Sequence, residues 1–285
     1  ILGAKNVPYC VSAPLLIQDI ASWIRQGIGG LQSVVLYALP ELDGAIDPVP
    51  LGGLVGDKIY LVPERVQRLT ERVKAWVSLR RKPPEDRKIA VILYGFPPGY
   101  GAVGTAALLN VPQSLLRLLQ EMKQAGYQVG ELPEDGETLV EWVKAADEAV
   151  PGQQRPSALA NNRAVFTSLK DTRSLSEEGS RSLDGQSPTT VSTRTLEKWL
   201  TYIQRTRMEK QWGDLERTGI KTYGDEFLLG GVQLGNVWVG VQPPLGISGD
   251  PMRLMFERDL TPHPQYAAFY KWLQNSLQAD AVLHF

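Results

Sequence analysis

Apolar residues along this chain follow two spacings that take turns. Short, almost unbroken apolar runs at 88–94 ("KIAVILY") and 236–242 ("NVWVGVQ") have the length and β-branched content of strands buried on both faces. Around them lie segments whose apolar positions recur every three or four residues, at 112–125, 136–146, 196–212 and 265–277, and each predicts an amphipathic helix. Pro112 suits a helix start with Asn110 as its cap, and Trp199, Tyr202, Ile203 and Met208 fall near helical spacing as core residues. Residues 127–133 and 281–285 are read as strands, and 252–258 as a short helix.

The first 82 residues repeat the alternation on a smaller scale. The pattern predicts a helix over 15–26 after "VSAP", strands over 32–39 and 58–62, and a helix over 63–79 with proline in its first turn. "RRKPPEDRK" at 80–88 is charged and Pro-paired, which marks a boundary. The expected fold is therefore α/β, with mostly parallel sheets covered by helices on both faces. Residues 1–82 form the end of a first α/β region; residues 83–285 form a second, truncated at its C-terminal strand. Within it, 171–195 is poor in large apolar residues and rich in Ser, Thr, Gly and charge, so it is read as a flexible polar insertion.

Composition narrows the partners. Thirty basic against thirty-one acidic residues leave no field that would draw the chain to nucleic acid. A single cysteine, Cys10, excludes an internal disulfide and suits a reducing compartment such as cytoplasm or chloroplast stroma, with peripheral attachment to a membrane left open. No apolar run approaches the roughly 20 residues of a transmembrane span. The opening "ILGAKNVPYC", without Met or a charged-then-apolar leader, and the ending on a strand read as a segment cut from a longer polypeptide.

One motif invites a nucleotide. Gly99-Tyr100-Gly101-Ala102-Val103-Gly104 fits G-x-G-x-x-G, and Glu131 lies where a ribose partner would fall. Pro97 and Pro98 intervene, however, and the helix starts near Pro112, so these glycines line an extended loop and do not open a helix at a pyrophosphate. A second stretch, "VWVGVQPPLGISGDPMRLMF", repeats the order of strand, Pro-Pro, Gly-rich loop, Pro and helix. Two such βα units would place both loops at the carboxyl edge of the sheet, where open α/β folds bind ligands.

"GFPPGYGAVGTAALLNVPQSLLRLL", together with "YALPELDGAI", "IKTYGDEFLLGGVQLGNVWVGVQPPLG", "GDPMRLMFERDLTPHPQYAAFYKWLQ" and "ADAVLHF", resembles the large, porphyrin-binding subunits of the magnesium chelatase family, in its cyanobacterial and plant-type branch. The blocks run in order along the chain and leave mainly 150–195 unmatched. The resemblance implies a multidomain protein that takes protoporphyrin IX and Mg²⁺ as substrates in chlorophyll biosynthesis. It also implies an AAA+ ATPase subunit and a second motor subunit that use ATP to drive insertion, and a small porphyrin-binding activator. The chain itself carries no G-x-x-x-x-G-K-[ST] motif. Three alternatives stay open: the cobaltochelatase large subunit, a non-catalytic scaffold of the chelatase, and, more remotely, an NAD-type oxidoreductase.

Metal insertion requires loss of two pyrrole protons and dehydration of a cation that sheds water reluctantly. Basic groups and carboxylates beside a flat apolar slot are the expected inventory. His284, ending the last strand, and Glu257 are the candidates for proton and metal handling, with Asp250 the candidate for the metal itself, although Asp250 also suits a helix cap before Pro251. For porphyrin propionates the candidates are the backbone amides at Gly99, Gly101, Gly104 and Gly246, together with the Arg253 guanidinium. His263, between two prolines, reads as a turn residue; the paired acids Asp225 and Glu226 read as solvated.

Overall fold

The computed structural model describes residues 7–94, 109–148, 189–215, 222–243 and 261–285. It separates into two compact units, Ile1–Lys82 and Pro83–Phe285.

In the first unit, strand β1 (Ser12–Asp19) runs parallel to β2 (Val49–Val55), and β2 pairs antiparallel with β3 (Lys58–Leu61). The helix expected over 15–26 is a strand followed by a helix, α1 (Ile20–Gln26). Asp19 makes the switch: its carboxylate accepts from the Ser22 N–H at 2.7 Å and caps α1. The strand expected over 32–39 is helical instead, running through α2 (Gly30–Ser33), a π turn (Val34–Ala38) and α3 (Leu39–Leu42). Pro40 follows the π turn and has no N–H to offer, and Leu39 N–H reaches back to Val34. Gln32 fixes this run on β1, accepting from Ile17 N–H and donating to the Gln18 side chain, both at 3.2 Å. Helix α4 (Pro63–Arg81) follows β3, and from it Trp76 donates to the Asp47 carboxylate at 3.1 Å while Arg72 pairs with the same group.

The second unit is built on a four-stranded sheet. Strands β4 (Ile89–Leu93), β9 (Val237–Val241) and β10 (Ala281–His284) run parallel, with β4 in the middle. Strand β8 (Gly231–Leu234) adds an antiparallel edge through a two-residue turn at Gly235-Asn236, with Gly235 at φ +62°, and the order is β10-β4-β9-β8. The expected α/β layering is present, and this sheet is mostly parallel as expected, with β8 its one antiparallel strand. Alternate residues of β4 and β9 serve opposite faces. Ile89, Val91, Leu93, Val237, Val239 and Val241 pack under α5 (Val111–Gln124) and α6 (Gly136–Glu148). Ala90, Ile92 and Trp238 pack under α9 (Pro264–Asn275), α7 (Thr193–Trp199) and a small antiparallel sheet.

That small sheet, β5 (Thr189–Ser192), β7 (Glu226–Leu229) and β6 (Thr222–Tyr223), was not foreseen, and its first strand takes the end of the expected polar insertion. Residues 127–133 form no strand: Gln128 C=O accepts from the Asn236 N–H at 2.8 Å, and Val129 is buried beside the hairpin turn. The single helix expected over 196–212 is two, α7 and α8 (Tyr202–Trp212). A capping box between Thr201 and Gln204 restarts the helix and shifts its phase, so Met208 is buried while Tyr202 and Ile203 are exposed. Asn110 caps α5 as expected, accepting from Gln113 N–H at 3.1 Å.

Trp238 shows how tightly the α9 face is filled. Its indole lies across the backbones of Gly231 and Gly240, where an added Cβ would overlap the ring, and it contacts Phe269 and Trp272 at centroid separations of 5.6 and 5.2 Å. Gly240→Ala is therefore expected to destabilise the chain by about 1–3 kcal/mol through overpacking, read as a lower urea midpoint. An unchanged midpoint would mean that the indole does not rest on this glycine.

Candidate functional site

Strands β10, β4 and β9 end together, and the first polar side chains past their apolar interiors meet at that carboxyl edge. The backbone there is fixed: Phe285 N–H donates to Ile92 C=O at 2.8 Å, Tyr94 N–H to Phe285 C=O at 3.1 Å, and Gln242 N–H to Leu93 C=O at 3.0 Å. His284 pairs in register with Ile92, and therefore points to the α9 side of the sheet.

Helix α9 brings two tyrosines to the same place. Phe269, Trp272 and Leu273 bury one face of α9, and Tyr266 and Tyr270, one turn apart, are half-buried beside it. The Gln242 amide donates to the Tyr266 hydroxyl at 2.9 Å and to the Tyr270 hydroxyl at 3.1 Å, and the two rings lie 4.8 Å apart. The Tyr270 ring is near-parallel to the exposed His284 imidazole, at 19° and 6.1 Å between centroids. Tyr270 thus reaches from the end of β9 to the end of β10, across β4. Burial first, then the hydrogen bond with Tyr266, holds the Tyr270 phenol well above its ordinary pKa, so it stays neutral.

Of the residues singled out from sequence, His284 is in this cluster. Gly99, Gly101, Gly104, Gly246, Asp250, Arg253 and Glu257 lie outside the described residues; the chain leads into their two segments from Tyr94 after β4 and from Pro243 after β9, both at this edge. Asp225 and Glu226 are elsewhere, at the turn into β7, where Asp225 C=O accepts from Thr193 N–H at 2.9 Å. Among the described residues, no group of three or more His, Cys, Asp or Glu side chains is placed to hold a metal, and no helix is long and apolar enough to cross a membrane. Sequence reasoning passed over Gln242, Tyr266 and Tyr270. The signal was present in "QYAAFYKW", where two tyrosines four apart flank the buried Phe269 and Trp272 stripe.

His263 is a helix cap and not a plain turn residue. Its Nδ1 accepts from Gln265 N–H at 3.2 Å at the start of α9, and its ring meets Trp212 edge-on at 5.1 Å. It is fully buried, and its Nε2 has no partner among the described residues. Burial pulls its pKa down from 6.5 to about 4. Between those values the unfolded chain takes up a proton that the fold refuses, so stability falls as pH drops from 6.5 towards 4, by about 3 kcal/mol in full. His263→Asn, which keeps a cap acceptor, is expected to remove that acid-side loss in unfolding measurements from pH 7 to 4. An identical pH slope in the variant would contradict the burial argument.

The family model described as CobN/Magnesium Chelatase matches residues 2–285. The magnesium-chelatase H subunit of Chlorobaculum parvum is 38% identical over 288 residues, covering 100% of this chain and 20% of that protein. Its counterpart from Rhodobacter capsulatus is 35% identical, covering 100% of this chain and 23% of that protein. The aerobic cobaltochelatase subunit CobN of Pseudomonas aeruginosa is 28% identical over 91% of this chain and 20% of that protein. Among solved structures, the catalytic subunit of cobaltochelatase from Mycobacterium tuberculosis shares the fold, with a TM-score of 0.74 at 24% identity over 99% of this chain and 22% of that one. The chain thus spans about a fifth of the length of the curated relatives it matches.

Proposed function

Because the chain belongs to the CobN/Magnesium Chelatase family, we propose that it is a segment of the large subunit of a magnesium chelatase, which inserts Mg²⁺ into protoporphyrin IX on the route to chlorophyll. The observation that carries this reading is the match over residues 2–285, with 38 and 35% identity to magnesium-chelatase H subunits. A cobaltochelatase reading has support from the 28% identity to a CobN subunit, and the lower figure ranks it second.

In this proposal the carboxyl edge of β10, β4 and β9 faces the macrocycle. Each of the two protonated ring nitrogens must give up its proton and keep the electron pair that then binds the metal. His284 is the proposed acceptor for such a proton: its imidazole is exposed, and its backbone is pinned in the ladder. The segments that follow β4 and β9 in the chain carry Gly99, Gly101, Gly104, Gly246 and Arg253, proposed to meet the porphyrin propionates through amides and a guanidinium. Asp250 and Glu257 are proposed to hold the incoming Mg²⁺ through carboxylate oxygen, the ligand that this cation prefers. Energy for dehydrating the metal and distorting the ring is assigned to partners, an AAA+ ATPase and a second motor subunit that use ATP, with a small porphyrin-binding activator assisting.

His284→Ala in the full-length subunit, assembled with its motor subunits, is expected to lower magnesium–porphyrin formation by about a hundredfold, the range for losing a general base. Deuteroporphyrin affinity should stay within about threefold, since uniform binding is not what this group supplies. Wild-type turnover in this variant would remove His284 from the chemistry. Stimulation by Co²⁺ with a corrin precursor, and not by Mg²⁺ with protoporphyrin, would move the chain to the second reading.

A further inference from the structure

His284 has a fixed backbone and an unfixed ring. Its main chain is locked between Ile92 and Phe285, yet among the described residues no hydrogen bond holds the imidazole. Two side-chain torsions could swing it away from the edge at little cost. What stands against the ring is Tyr270, near-parallel at 19°, with centroids 6.1 Å apart, within the range of offset aromatic pairs.

Tyr270 is itself held on three sides. Phe269 meets its ring edge-on at 5.2 Å, Tyr266 packs at 4.8 Å, and the Gln242 amide donates to its hydroxyl at 3.1 Å. Its helix is anchored in the core by Phe269, Trp272 and Leu273, which contact the sheet on the face that His284 shares with Ile92. A packed aromatic face therefore stands beside an exposed imidazole that no hydrogen bond fixes among the described residues.

We propose that Tyr270 is a positioning residue for His284: its flat face restricts the imidazole to orientations in which a ring nitrogen points off the carboxyl edge toward a bound macrocycle. This rests on the proton-acceptor role proposed above for His284. The useful property is the ring and not the hydroxyl, because the hydroxyl accepts from Gln242 while the contact with the imidazole is ring on ring. Such a residue acts on turnover through another group, and so its effect vanishes when that group is gone.

The test uses the full-length subunit with its motor partners and four variants. Tyr270→Leu is expected to lower kcat for Mg²⁺ insertion about tenfold, with KM for deuteroporphyrin within twofold. Tyr270→Phe keeps the face and should stay within twofold of wild type in both. The double variant Tyr270→Leu with His284→Ala should be no slower than His284→Ala alone. Wild-type kcat in Tyr270→Leu overturns the proposal, as does a loss that multiplies in full onto that of His284→Ala, since either separates the two residues. A tenfold loss in Tyr270→Phe also overturns it, by assigning the effect to the hydroxyl. Should the leucine variant melt far below wild type, Tyr270→Met, flexible enough to fill the same gap without a flat face, takes its place under the same criteria. If His284→Ala itself turns over at the wild-type rate, the acceptor role has failed; if it is slow while Tyr270→Leu is not, only the positioning role has.

Discussion

Burial of β4 and β9 on both faces is the constraint from which the rest of the larger unit follows. Ile89–Leu93 and Val237–Val241 are buried throughout, with Val91, Leu93, Val237 and Val239 against the helix pair and Ile92 and Trp238 against α9. A strand that is apolar on both sides has nowhere along its length for a charged or hydrogen-bonding side chain. Polar chemistry is displaced to the strand ends, and at the carboxyl end Tyr94, Gln242 and His284 arrive within one sheet width of one another. The ladder that buries the middle also holds those backbones still.

Helix α9 brings further side chains to that edge. Phe269, Trp272 and Leu273 are core residues, so the helix cannot shift without disturbing Trp238, which has no slack over Gly231 and Gly240. The adjoining stripe, Tyr266 and Tyr270, is then carried to the sheet edge at fixed height. Gln242 completes the link, because its backbone continues β9 while its amide reaches both phenols. Helix α9 and β9 share one hydrogen-bonded aromatic cluster, and His284 of β10 stacks on its Tyr270 ring.

Much of this framework is legible in the amino-acid pattern alone. The apolar runs at 88–94, 236–242 and 281–285 and the helices beginning near Pro63, Pro112, Gly136 and Gln265 follow from periodicity and proline placement. What escapes the pattern is decided by single side chains. "LLIQDIASWI" suits strand or helix by apolar count, and the Asp19 cap divides it. "QSVVLYAL" is rich in strand-formers, yet Gln32 bonds it to β1 and it runs as a π turn ahead of Pro40. The hairpin "LGNV" carries a two-residue turn signal in Gly235-Asn236 that the long apolar run at 237 obscures. At the site, His284 is reachable as the polar end of a strand, but its partnership with Tyr270 depends on a helix crossing above the sheet, which no local pattern contains.

The two histidines show how position in the fold gives one residue type two different settings. His263 spends its Nδ1 lone pair on the Gln265 N–H and keeps Nε2 buried without a partner among the described residues, so burial keeps it neutral down to about pH 4. An imidazole in that state is a poor proton acceptor at neutral pH, and its contribution is to start α9 where α9 has to start. His284 differs in its surroundings: it is exposed, backed by an aromatic face, with no hydrogen bond to its ring among the described residues. The first histidine fixes the helix, the helix carries Tyr270, and Tyr270 stands against the second. Loss of the His263 cap should therefore reach the edge only as far as it frays the first turn of α9, because Tyr270 lies in the turn that follows, anchored by Phe269 and Trp272.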